Sequence, residues 1–219
     1  MKPSEAALRE IGRLVSRYPA LAEVEGDIRQ ALERILETLE AGGTLFTAGN
    51  GGSSADAVHI VGELMKSFQL PRPLTPGVRE AINGAAMPEE SRRRLLKGLE
   101  MPLRSRSLVE EIALTTAFAN DADPQLGFAQ QLLGSARDGD LFLPISTSGN
   151  SENLLLAAQL ARALDLSVVV LTGKDGGKLA PISNVAIVCP GSSTAEIQEY
   201  HLPVYHALCA AAEAHFFAG

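Results

Sequence analysis

The chain has 219 residues, 46% of them hydrophobic and 21% charged, a balance that fits one sizeable α/β domain or two small ones. Its formal net charge of −7 speaks against a general nucleic-acid binder, which carries a basic surplus. Aromatics at 5% and the absence of Trp argue against base-stacking or carbohydrate-stacking surfaces.

Leu8, Ile11, Leu14 and Val15 mark a first amphipathic helix. A second is predicted from about Val24 to Ala41, with Ile28, Leu32, Ile35 and Leu39 on one stripe and Gly42–Gly43 as its stop. A strand over Thr44–Ala48, a turn, and a helix to about Phe68 follow. Residues 70–107 differ from the rest, with five prolines and the arginine cluster SRRRLLKGLEMPLRSR, in which Leu95, Leu96 and Leu99 suggest a short helix. This stretch reads as a surface insertion with a solvated basic face; a lid or an oligomer contact is the alternative.

Beyond it, SLVEE is expected to be a strand, ALTTAFAND a short helix ending at Asn120, and DPQLGFAQQLLG an amphipathic helix. DLFLPI is a buried-type strand, STSGNS a polar turn, ENLLLAAQLARAL a helix, SVVVLTG a β-branched strand, KDGGK a glycine turn and NVAIVCP a further strand. TAEIQEYHLPVYHALCAAAEAHFF closes the pattern as a long helix, which Pro203 should kink. Strands alternating with helices predict βαβ units, a parallel sheet and an α/β fold. The whole of 1–219 is expected to form one domain, with residues 1–42 as N-terminal helices.

Cys189 and Cys209 form no CxxC pair and read as buried, reduced thiols. No apolar run reaches the length of a membrane span, and the amphipathic N-terminal segment, which carries acids, lacks the apolar core of a signal peptide. A cytoplasmic location is the expectation.

Two strand–turn–helix junctions carry serine and glycine, GNGGSS at 49–54 and STSGNS at 146–151. Helix N-termini present free N–H groups and a positive dipole end, so both junctions are candidate anion sites beyond the carboxyl ends of strands. Either alone is also an ordinary serine N-cap. Neither matches GxGxxG or GxxxxGK[ST], which disfavours nucleotides. The helix after the first junction places His59 and Glu63 four residues apart on one face. The final helix adds Gln198, Glu199, His201 and His206, with Gln198 and His206 about two turns apart. Two histidines, a glutamate and a glutamine suit a divalent metal such as zinc; the same glutamate and histidine equally suit an acid–base pair, and spacing does not choose.

GNGGSSADAVHIVGEL, the AND at 119–121, STSGNS and IQEYHLPVYH together resemble the phosphoheptose isomerases, SIS-domain (sugar isomerase) proteins that interconvert sedoheptulose 7-phosphate and an aldoheptose 7-phosphate. The resemblance covers most of the chain outside 70–107, where the family's connection is typically much shorter. It implies a three-layer α/β sandwich with a five-stranded parallel sheet and no nucleotide, and a homotetramer with active sites between subunits. The family's phosphate-binding serines match Ser53, Ser146, Ser148 and Ser151, with Thr147, Asn50, Gly51, Gly52 and Gln198 beside the substrate and Asp121 near the sugar. Its general base matches Glu63 and its partnering acid His206. Metal-bound members use the positions of His59, Glu63, Gln198 and His206. A sugar phosphate substrate and further copies of the chain are the expected partners, without membrane or direct nucleic acid. Two rival readings are a non-catalytic SIS protein that binds the replication initiator DnaA, and a sugar-phosphate-sensing regulatory domain. The relative that binds DnaA lacks the glutamate at the position of Glu63, and no DNA-binding module is apparent here.

Overall fold

The computed structural model describes residues 2–218. Five parallel strands, β1 (Leu45–Gly49), β2 (Ser105–Ser107), β3 (Leu141–Ser146), β4 (Ser167–Gly173) and β5 (Val185–Cys189), form one sheet in the order β2-β1-β3-β4-β5. Side-chain alternation divides the strands between two cores. Leu141, Leu143, Ile145, Val169 and Leu171 face one side, where α1 (Glu5–Arg17), α2 (Glu25–Glu40), α3 (Gly52–Met65) and α9 (Thr194–Phe217) pack. Phe46, Phe142, Val168 and Val170 face the other, against α7 (Gly127–Ser135) and α8 (Glu152–Ala163). The result is the expected three-layer α/β sandwich, with an N-terminal helical pair covering one face. Among the described residues, no helix is long and apolar enough to cross a membrane.

The predicted periodicities survive in most elements. SVVVLTG is a strand from its first residue to its last, and the final helix runs the full Thr194–Phe217, continuing through Pro203. Ser193 begins it with a capping box, its hydroxyl taking the Glu196 amide while Glu196 reaches back to the Ser193 backbone. Both cysteines are buried and free, and burial pushes the Cys189 thiol up to about 12.

Two elements differ from expectation. The strand expected at SLVEE lies earlier, at Ser105–Ser107, because Ser107 Oγ accepts the Val109 amide and turns the chain off the sheet. Leu108 then falls into the second core, fully buried. A short helix that the sequence pattern does not predict, α4 (Pro76–Gly84), begins with proline in its first turn, where the missing N–H costs nothing. The helix expected around Leu95, Leu96 and Leu99 is α5 (Glu89–Gly98), with Leu99 just outside it. Neither α4 nor α5 buries a residue, yet the segment is pinned where it leaves and rejoins the body, by buried Arg72, Leu74 and Leu103.

Since all strands are parallel, their carboxyl ends lie along one edge. β1 and β3 are neighbours, with Gly49 opposite Ile145, but α3 leaves toward one face and α8 toward the other. This is the switch point of an open sheet, where a crevice forms of necessity.

Candidate functional site

The two serine–glycine turns meet at that crevice. Asn50 and Asn153 exchange reciprocal amide hydrogen bonds, both 2.9 Å, tying the end of β1 to the start of α8. Asn153 was not singled out from sequence, since nothing local marks one asparagine in a helix's first turn as a bridge. Ser53 and Ser146 are buried, and Thr147, Ser148 and Ser151 are half-buried around the turn. Ser151 is the N-cap of α8, but its hydroxyl turns to Ser146 Oγ at 3.1 Å instead of to its own helix. The α3 N-cap is Gly51, which has no side chain to offer. Two helix N-termini therefore open on one crevice without a capping hydroxyl of their own, an arrangement that favours an anion.

Close approach requires glycine here. A Cβ on Gly52 would stand 2.5 Å from Gln198 Nε2, so glycine lets α9 lay its carboxamide over the start of α3. Gly149, at φ +63°, presses against the backbone of Gly176 in the KDGGK turn, which supports STSGNS from below.

Further along α3, the structure gathers His59, Glu63 and His206, one ligand atom from each lying within 4.8 Å of the others. His59 Nε2 is 3.1 Å from Glu63 Oε1 and 3.5 Å from His206 Nε2. His59 Nδ1 meets the Tyr205 hydroxyl at 2.9 Å, and Tyr205 donates to Asp56 Oδ1 at 3.2 Å. Glu63 Oε2 is buried without a hydrogen-bond partner; Lys66 Nζ approaches to 3.7 Å. An orphaned carboxylate oxygen beside two imidazoles fits a bound cation or a transferable proton, and the N, N, O donor set suits zinc. Burial holds His206 below its ordinary value, with the charge of His59 acting in the same direction and Glu63 opposing. Burial also raises Asp56 and, reinforced by Asp56, the Tyr205 phenol, which stays protonated at physiological pH.

The remaining candidates separate. Within one chain Gln198 does not join the cluster: it rests against Gly52, eight residues and about 12 Å of helix before His206. It groups with the first turn. Asp121 is exposed at the end of α6 (Ile112–Asp121), where it accepts a hydrogen bond from Asn120. Glu199 is exposed, and His201 is fully buried with Nε2 3.1 Å from the Thr172 carbonyl, so it braces α9 against the sheet.

Desolvation pulls His201 from 6.5 down to about 4. The unfolded chain thus binds this proton at a higher pH than the folded one, and stability falls as pH drops from 6.5 toward 4, by about 3 kcal/mol in full. His201→Gln, which keeps a donor for Thr172, should flatten the acid side of a thermal-stability profile measured from pH 7 to 4.5. An unchanged slope would rule out this histidine as a source of acid lability.

A groove of about 440 Å³ lined by Arg13, Arg17, Tyr18, Phe68, Gln69 and His206 opens beside the cluster. Comparison with known proteins places this geometry in a family. The SIS domain family matches residues 8–91 and 96–173. A phosphoheptose isomerase of Akkermansia muciniphila is 34% identical over 216 residues, 99% of this chain and 100% of that one. The chain belongs to the phosphoheptose isomerase family of SIS domain proteins. Solved structures agree. The phosphoheptose isomerase GmhA from Neisseria gonorrhoeae superposes with a TM-score of 0.69 at 29% identity, covering 95% of this chain and 93% of that one. A phosphoheptose isomerase from Francisella tularensis gives 0.71 at 28%, covering 92% and 94%. Membership makes the chain an isomerase-family enzyme, and the SIS match runs through most of 70–107, leaving only 92–95 unmatched within it.

Proposed function

We propose that this phosphoheptose isomerase family member converts sedoheptulose 7-phosphate to D-glycero-D-manno-heptose 7-phosphate through an enediol. The observation that carries the reading is the Glu63 carboxylate, one oxygen against His59 and the other buried without a hydrogen bond and only loosely paired with Lys66, at the far end of a helix that begins in a phosphate-type cradle.

Ketose-to-aldose isomerisation removes a proton from C1, passes through an enediol and returns the proton to C2. In this reading Glu63 moves the carbon-bound proton, and His206 carries a proton between the two oxygens. Ser53, Ser146, Ser148 and Ser151, with the amides of α3 and α8, hold the phosphate. Asn50, Gly51, Gly52, Thr147 and Gln198 border the sugar, and Asp121 lies toward its hydroxyls. His59, Glu63 and His206 are the residues that would hold a zinc ion, which as a Lewis acid would polarise the sugar oxygens. Gln198 could complete such a set only through a rearrangement or from a second subunit.

Ser53 and Glu63 are ten residues apart, about 15 Å along α3. A substrate bridging them within one chain must be long and extended, or one end of the site must come from another subunit. The first option favours a seven-carbon chain over a triose; the second requires an oligomer, and we propose a homotetramer with shared sites. We place the enzyme in the cytoplasm, with no partner but substrate and its own copies.

The test is direct. Purified protein, supplied with zinc and stripped of it, is given sedoheptulose 7-phosphate, and the aldose is followed by NMR. Appearance of the aldoheptose signal is expected. No turnover of this or any other ketose phosphate in either state would overturn the proposal.

A further inference from the structure

We infer that Asn150, working with the KDGGK turn at 174–178, holds the STSGNS turn in the shape that takes the phosphate. Asn150 is a positioning residue: it acts through Ser148. The inference rests on the proposed reading of STSGNS as a phosphate site.

The two turns interlock first through backbone. Leu179 donates its amide to the Gly149 carbonyl at 3.0 Å, and Gly149 donates to the Ser146 carbonyl at 3.1 Å, which closes the serine turn. A Cβ on Gly149 would run into the Gly176 carbonyl, and one on Gly177 into the Ser148 carbonyl. Gly149, Gly176 and Gly177 all have positive φ, at +63°, +81° and +55°. The approach therefore needs glycine on both sides.

Asn150 adds a side-chain link. Its Oδ1 accepts the amide of Lys178, 28 residues on, at 3.2 Å, and its Nδ2 donates to the Ser148 carbonyl at 2.8 Å. A peptide N–H only donates and a carbonyl only accepts, so both partners fix the same orientation of the carboxamide. Neither a carboxylate nor an apolar side chain can make both bonds. The Asn150 backbone amide also donates to Ser148 Oγ at 3.2 Å. Among the described residues no acceptor takes that hydroxyl's own proton, so it is free to donate to a ligand oxygen.

Asn150 is exposed, so these bonds order a surface turn instead of filling a core. Surface loops are ordinarily mobile, and an anion site gains affinity when its donors are fixed before the ligand arrives.

The experiment uses the whole chain with inorganic phosphate as the probe, titrated by calorimetry and used as a competitive inhibitor of sedoheptulose 7-phosphate turnover. Asn150→Ala should weaken phosphate binding at least about fivefold and raise KM by a similar factor, with a smaller effect on kcat. Gly177→Ala, in the supporting turn, should weaken phosphate binding in the same direction, because its Cβ displaces the Ser148 carbonyl. That variant separates positioning from direct contact: an Asn150 that merely touched the phosphate would leave Gly177→Ala with wild-type affinity. Thermal unfolding checks that both variants are folded. Wild-type phosphate affinity in either folded variant, or a loss confined to kcat, would overturn the inference and leave the phosphate reading standing. Wild-type protein that binds no phosphate would overturn that reading and the inference together.

Discussion

Glu63→Gln is expected to lower kcat by at least about a hundredfold with little change in KM. The amide keeps the shape and a hydrogen-bonding oxygen, but it cannot accept a proton from carbon or serve as an anionic ligand. The phosphate cradle lies at the other end of α3, so ground-state binding should be largely retained. His206→Ala should produce a loss of the same order, because its imidazole lies 3.5 Å from His59 and belongs to the same cluster. If the two residues act on one proton inventory, the double variant should be scarcely worse than either single one. Steady-state kinetics on sedoheptulose 7-phosphate, with circular dichroism to check folding, measure all three. Full activity in both single variants would remove Glu63 and His206 from the mechanism.

Glu213→Ala should cost about 3–5 kcal/mol of stability, the usual penalty for stranding one partner of a buried ion pair. Arg72 and Glu213 have fully buried side chains, with Arg72 Nε 2.7 Å from Glu213 Oε1. The carboxylate also accepts the backbone amides of Phe68, Gln69 and Leu70. Arg72 in turn donates to the carbonyls of Glu63 and Leu64, at 3.0 and 2.5 Å, in the last turn of α3. Removing Glu213 leaves a buried guanidinium and three amides uncompensated, and loosens the turn that carries Glu63. Thermal unfolding should show a midpoint about 10 °C lower or more. Arg72→Lys should also be damaging, because a point charge cannot reproduce the guanidinium fork that joins Glu213 to two carbonyls. A midpoint within about 2 °C of wild type for Glu213→Ala would show that the pair contributes little.

This pair also marks the limit of legibility in the chain. Arg72 sits in the proline-rich stretch that reads as a solvated insertion, and Glu213 lies 141 residues away on an alanine-rich face of the last helix. No local pattern joins them. The two histidines of HLPVYH make the same point. His201 and His206 share one helix and similar neighbours, yet one is fully buried against Thr172 and the other stands half-buried in the cluster. Helical periodicity orders residues around an axis but does not say which arc meets the sheet.

By itself, the sequence determined what depends on near neighbours along the chain. Short continuous apolar runs in DLFLPI and SVVVLTG, stripes in the helices, and glycine and serine at strand ends are legible from near neighbours alone, and they yield the parallel sheet, its two junctions and the His59–Glu63 pair. The tertiary structure alone decided what depends on distance across the fold. It brought the two turns together through Asn50 and Asn153, added His206 to His59 and Glu63, separated Gln198 from them, and locked Glu213 onto Arg72. The physical reason is that hydrogen bonds and ion pairs act over a few ångströms of space, and only packing of the helices onto the sheet determines which distant residues come within that range.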